Sequence, residues 1–274
     1  MEQYLRFIWL VPLGFFAGAY GTLIGAGGGF ILVPVLLLFY PGEATETITS
    51  ISLAVVFFNA LSGSLAYART KRIDYKSGTI FALAAVPGAV LGALGTTYVP
   101  RRHFDALFGI LMLLVSALLF VRPATRRRAL EKRIPSFTKR TLEGNRLARL
   151  VPPRLLLGIG LSSGLGYISS FLGIGAGFIY VPAFVYLLDF PVHTATATSL
   201  FILTIMSFTG SATHIVAGLF HEGIRRTVAL VLGVILGAQL GAWFSRRVHG
   251  DWIIRGLAVA LSLAGIRLLM MAWP

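Results

Sequence analysis

Apolar residues run along this chain in stretches of about 20 or more, separated by short polar breaks. The stretches fall at about residues 5–40, 47–68, 77–99, 104–121, 154–188, 192–219, 224–245 and 251–273. About 20 apolar residues in a helix cross about 30 Å of hydrocarbon. The pattern therefore predicts an all-α polytopic membrane protein with about eight transmembrane helices. Two stretches are too long for one straight crossing. As a continuous helix, residues 5–40 would extend about 54 Å at 1.5 Å per residue.

Each long stretch carries a glycine-rich interruption. The first is Ile24-Gly25-Ala26-Gly27-Gly28-Gly29-Phe30-Ile31-Leu32-Val33-Pro34. The second is Leu172-Gly173-Ile174-Gly175-Ala176-Gly177-Phe178-Ile179-Tyr180-Val181-Pro182. The two lie 148 positions apart and share Gly25, Gly27, Gly29, Phe30, Ile31, Val33 and Pro34 with the later copy. Glycine in a helix interior costs about 1 kcal/mol relative to alanine. Such a weakness at matched points of two halves predicts two broken helices, and in transporters that pattern points to the binding site. Pro34 and Pro182 stand about one turn beyond each break, where a restarted helix tolerates proline.

The rest of the chain keeps the same register. Ser52-Leu53 aligns with Ser199-Leu200 and Gly63-Ser64 with Gly210-Ser211. The expected organisation is two homologous four-helix repeats, residues 1–121 and 154–274, each with a glycine-broken first helix. A basic linker at 122–153 joins them, long enough for an amphipathic surface helix. Four crossings per half imply parallel repeats, whereas re-entrant hairpins at the glycine boxes would allow inverted ones. Small-residue faces, such as Gly88 with Gly92 and Gly233 with Gly237 and Gly241, suit close packing and would permit a homodimer.

Charge sharpens the topology. The chain is 56% hydrophobic and 12% charged, with a net charge of +14. The basic residues cluster in loops, above all in the linker, so the positive-inside rule explains them better than nucleic-acid binding. It predicts a cytoplasmic linker and, with eight crossings, cytoplasmic termini. Contact of the linker with anionic membrane lipid is a further expectation. The chain has no cysteine, which excludes disulfides and thiol chemistry.

The candidate chemistry is that of binding. A helix restarted inside the membrane offers free N–H groups to an anion. Ser50, Ser52 and Asn59 in one half, with Thr198 and Ser199 in the other, form a polar ladder behind the boxes. The bland alternative is that such hydroxyls bond back to their own helices. His214 would be a group for proton coupling, or an interfacial histidine. Every acidic residue falls in a loop or near a span end, which argues against a cation carrier and for an anion. No nucleophile–base set and no metal-ligand spacing occurs, so neither an enzyme nor a metal or cofactor is expected.

The paired boxes ending in Phe-Ile-x-Val-Pro, each before a Ser/Thr-rich span, resemble the TauE/SafE family of sulfite exporters. The resemblance covers about residues 10–272 and implies a bacterial inner-membrane carrier of sulfite, sulfonates or other small anions. It maps the family's box onto Gly25, Gly27, Gly28, Gly29 and Pro34, and again onto Gly173, Gly175, Gly177 and Pro182. Ala176 departs from the pattern and makes the two half-sites unequal. The expected function is alternating-access export of a small anion. A passive anion channel and a non-transporting scaffold are the rivals.

Overall fold

The computed structural model describes residues 8–121, 153–188, 190–220, 223–245 and 250–272. The linker expected at 122–153 lies outside the described residues except for Pro153. Ten α-helices are described: α1 (Leu10–Ile24), α2 (Gly29–Phe39), α3 (Thr45–Ala68), α4 (Tyr75–Gly95), α5 (Arg101–Val121), α6 (Pro153–Leu172), α7 (Gly177–Leu187), α8 (Val192–Val216), α9 (Ile224–Phe244) and α10 (Gly250–Ala272). No strand occurs among the described residues. Four helices are long and apolar enough to cross a membrane: α3, α4 with the short 3-10 turn after it, α8 and α9.

Both expected helix breaks are present, between Ile24 and Gly29 and between Leu172 and Gly177. Their geometry differs from that of a broken crossing. α2 does not carry on from α1 but doubles back along it. Trp9, before α1, lies 4.8 Å ring to ring from Phe39 at the end of α2. Tyr20 and Phe30 meet across the hairpin at 6.3 Å. The second pair repeats this: the Tyr180 hydroxyl of α7 donates to the Ser162 carbonyl of α6 at 3.3 Å.

Helix directions follow from which residues meet. α1 and α9 run in the same direction, Gly14 against Leu230 and Gly18 against Val234. α4 and α6 also run together, Gly88 against Ser163 and Gly92 against Tyr167. Each contact puts a glycine directly on a neighbour's backbone, where a side chain would collide. By contrast, α3 and α8 are antiparallel: Ser50 meets His214, while Gly63 meets Leu200 and Gly210 meets Leu53. α5 and α10 are antiparallel too, Gly109 against Leu269 and Ser116 against Ala258. The matched helices α3 and α8, and likewise α5 and α10, therefore point in opposite directions.

This geometry favours the re-entrant alternative at the glycine boxes. The first stretch of each half is a hairpin, so its two ends lie on one side. The starts of α1 and α5 gather at the same end, since the Arg101 guanidinium donates to the carbonyls of Leu37, Tyr40 and Glu43 at 2.8, 3.1 and 2.6 Å. α10 returns to that end as well. The end of α5 and the start of α6, which flank the linker, lie at the other.

The hairpin bases are held differently. Glu43 pairs with Arg226 at 2.8 Å, and that guanidinium lies 4.0 Å over the Tyr40 ring. The second base is aromatic, with Phe184 against Phe81 and Phe190 at 5.4 Å each.

Since the chain has no natural cysteine, the hairpin can be tested by cross-linking. Trp9→Cys combined with Phe39→Cys is expected to close readily with an oxidant or a short bismaleimide, read as protection from cleavage between them. In a continuous helix the two positions would stand about 45 Å apart and no intramolecular link would form.

Candidate functional site

The hairpin tips meet at the centre of the protein. A Cβ added at Gly29 would stand 2.5 Å from the Ile174 carbonyl oxygen of the other tip, and one at Gly177 would strike the Gly25 carbonyl. Phe30 and Phe178, at matched positions, face each other at 6.2 Å. The chain reverses through left-handed backbone at Gly25, Gly27 and Gly28 in the first tip and at Gly173 and Gly175 in the second. The close approach and these φ values together require glycine.

Two hydroxyls brace the tips reciprocally. Ser52 of α3 donates to the Gly173 carbonyl of the second tip at 2.5 Å. Ser199 of α8, its counterpart, donates to the Gly25 carbonyl of the first at 2.9 Å. Both serines are buried. Each hydroxyl has a single proton; that of Ser199 is shared between the Gly25 carbonyl and the Thr196 carbonyl of its own helix at 2.8 Å. In this structure these residues brace carbonyl groups that would otherwise be unpaired in the interior. Each such bond contributes about 1 kcal/mol.

Val56 and Leu203 fill the space between the tips. Each meets added Cβ positions at both Gly27 and Gly175, at 2.6 to 3.0 Å. They occupy the middle of α3 and α8. The centre of the molecule is thus an apolar plug, and polar groups flank it.

The flanks are unequal. Beside the first tip, the Asn59 side chain is fully buried. Its Oδ1 accepts from the Thr22 hydroxyl at 3.0 Å. Its Nδ2 has no hydrogen-bond partner and would lie 3.3 Å from a Cβ at Gly28. Gly28 precedes α2 with φ 78° and no side-chain cap. Beside the second tip, the N–H of Ala176 is capped by the Ser169 hydroxyl at 2.9 Å. The Gly177 N–H bonds to the Gly175 carbonyl at 2.7 Å. Ala176 takes φ −65°, so the departure from glycine costs nothing in backbone strain.

The other sequence candidates lie elsewhere. Ser50 contacts His214 Nδ1 at 2.8 Å and donates to the Glu46 carbonyl at 2.5 Å. The His214 Nε2 is buried without a partner. Thr198 accepts from the Asp74 N–H at 3.1 Å, before α4. Neither joins Asn59 in one cluster. Pro34 and Pro182 sit inside α2 and α7, past the first turn, and deprive the Phe30 and Phe178 carbonyls of their helical donors. Sequence reasoning missed Thr22, Ser169, Val56 and Leu203. The last two align in the repeat register, but apolar pairs are too common in membrane spans to stand out.

A family model described as sulfite exporter TauE/SafE matches residues 10–268. The chain is 32% identical to a probable membrane transporter protein, YunE, of Bacillus subtilis, over 97% of this chain and 98% of that one. It is 30% identical to a probable membrane transporter protein of Xylella fastidiosa, covering 85% and 84% of the two chains. A probable membrane transporter protein of Methanocaldococcus jannaschii is 24% identical over 97% of each. No solved structure matches.

The unequal tips predict unequal tolerance. Gly28→Ala places a Cβ in left-handed backbone, 2.7 Å from the Ala17 carbonyl, and is expected to destabilise by about 2 kcal/mol or more. Ala176→Gly should cost about 1 kcal/mol or less. Thermal unfolding of the two variants in detergent measures the difference. Equal losses would contradict this description of the turns.

Proposed function

The chain belongs to the TauE/SafE sulfite exporter family, and from that premise we propose that it is a secondary carrier. Its solute is a small anion such as sulfite or an organosulfonate, exported across the bacterial inner membrane by alternating access. The observation that carries the reading is the meeting of two re-entrant hairpin tips at the protein's centre, sealed by Val56 and Leu203. Irregular backbone at membrane depth is tolerated where protein encloses it or a cavity receives it. Tips of this kind, with a helix starting at each, are where carriers of other folds place solutes.

The antiparallel pairing of matched helices supports inverted repeats. In that arrangement α1 with α2 enters from one face, α6 with α7 enters from the other, and α3, α4, α5, α8, α9 and α10 cross. Exchange of the two half-packings would open the plug to alternate sides. The end carrying Arg69, Lys71, Arg72 and Lys76, which also receives the linker, is the cytoplasmic one by the positive-inside rule. The termini then lie on the outer side.

A closed apolar plug favours a carrier over a passive channel, since a channel needs a continuous wet path. His214, with its unpartnered Nε2, is the group through which we expect coupling to protons.

Purified protein in liposomes loaded with unlabelled sulfite is expected to give saturable counterflow of labelled sulfite or of a sulfonate. Gly175→Leu, which would strike Leu203 and Val56, should abolish it while the protein still inserts in the membrane. Flux without counterflow would favour a channel, and full activity in Gly175→Leu would remove the tips from the mechanism.

A further inference from the structure

The two half-sites differ in a way that selects both a seat and a charge. At the second tip, the first N–H groups are satisfied by the protein itself. Ser169 takes that of Ala176, and the Gly175 carbonyl takes that of Gly177. Met206 stands where the first half has Asn59. At the first tip, Gly21 stands in the place of Ser169; its carbonyl takes the N–H groups of Ala26 and Gly27, but it has no side chain to cap that of Gly28. The N–H groups of Gly28, Gly29 and Phe30 have no intrahelical acceptor, and the first within the helix to find one is that of Ile31, on the Gly28 carbonyl. Beside them Asn59 Nδ2 is fully buried and unpartnered, held towards Gly28 by the Thr22 bond to its Oδ1. A buried donor left unpaired costs about 1 to 3 kcal/mol, and a ligand oxygen would remove that cost.

We infer that each chain seats one anion, at the α2 N-terminus against Asn59, and that the seat selects a singly charged oxyanion over a doubly charged one. This deepens the carrier reading and rests on it. The second tip is then the packing partner of the first and holds no solute.

The charge preference follows from the donors. The side chains nearest the tip, Val56, Asn59, Thr196, Ser199 and Leu203, are all uncharged. Among these neighbours of the tip there is no cationic side chain to compensate the ion. Dehydration cost rises with the square of ionic charge, whereas neutral N–H donors gain roughly in proportion to it. A sulfonate, or sulfite in its singly protonated form, therefore fits better than sulfate.

The test is calorimetric titration of the full chain in detergent with methanesulfonate, sulfate and chloride. One methanesulfonate per chain is expected, bound at least about tenfold more tightly than sulfate or chloride. Asn59→Met copies the second half, so it should fold with an unchanged melting temperature. Its methanesulfonate affinity should fall by about tenfold or more, the effect of losing a hydrogen bond to a charged ligand. Two anions per chain, tighter sulfate binding, or unchanged affinity in Asn59→Met would overturn the inference and leave the carrier reading in place. If Asn59→Met does not fold, stoichiometry and charge preference on the unaltered protein decide alone. Absence of binding by any of the anions, in folded protein, would count against both.

Discussion

Backbone amides brought deep into an apolar interior must find partners, and this constraint shapes the whole molecule. Helices satisfy their own amides, but a hairpin turn cannot. The two turns here are placed against each other, so that each half supplies what the other lacks. Ser52 closes the Gly173 carbonyl and Ser199 closes the Gly25 carbonyl. Glycine at Gly29 and Gly177 lets the backbones touch. Each hairpin tip takes one of its backbone hydrogen bonds from the opposite half. The long helices α3 and α8 serve as the posts on which those serines are mounted.

The same constraint makes the unpaired groups informative. Most hydroxyls in the spans bond back to their own helices, as Thr204, Thr209 and Thr213 do to residues four earlier. Against that background a buried amide without a partner at a helix start stands apart. The near-symmetry of the fold sharpens the contrast. Ser169 caps the N–H of Ala176 from within the second tip, and the matching N–H of Gly28 is left without such a cap while Ala26 and Gly27 bond to the Gly21 carbonyl.

Much of the fold was legible in the sequence. The repeated Gly-Phe-Ile-x-Val-Pro boxes located both breaks to within a residue or two, and the Ser52–Ser199 register gave the matched braces. The apolar stretches gave the helices. The sequence left hairpins and broken crossings as alternatives, because a broken helix and a re-entrant turn share the same run of glycine and apolar residues. Only a long-range contact such as Trp9 with Phe39 separates them. The role of the serines was not legible. A hydroxyl that lines a path and one that braces a carbonyl look alike until the partner is known. The burial of Asn59 and its shortage of partners were legible as those of an amide within a span, but its orientation depends on Thr22, which nothing in the local sequence marked.

The central claim is that the hairpins enter from opposite faces and meet between them. It is tested most directly by single cysteines at their bases, Gly42→Cys after α2 and Leu188→Cys after α7, probed in intact cells with a membrane-impermeant maleimide. Gly42 has open space around it, so labelling there should not disturb packing. The account predicts that Gly42→Cys reacts from outside and that Leu188→Cys reacts only after the membrane is opened. Reaction of both from the same side would contradict it.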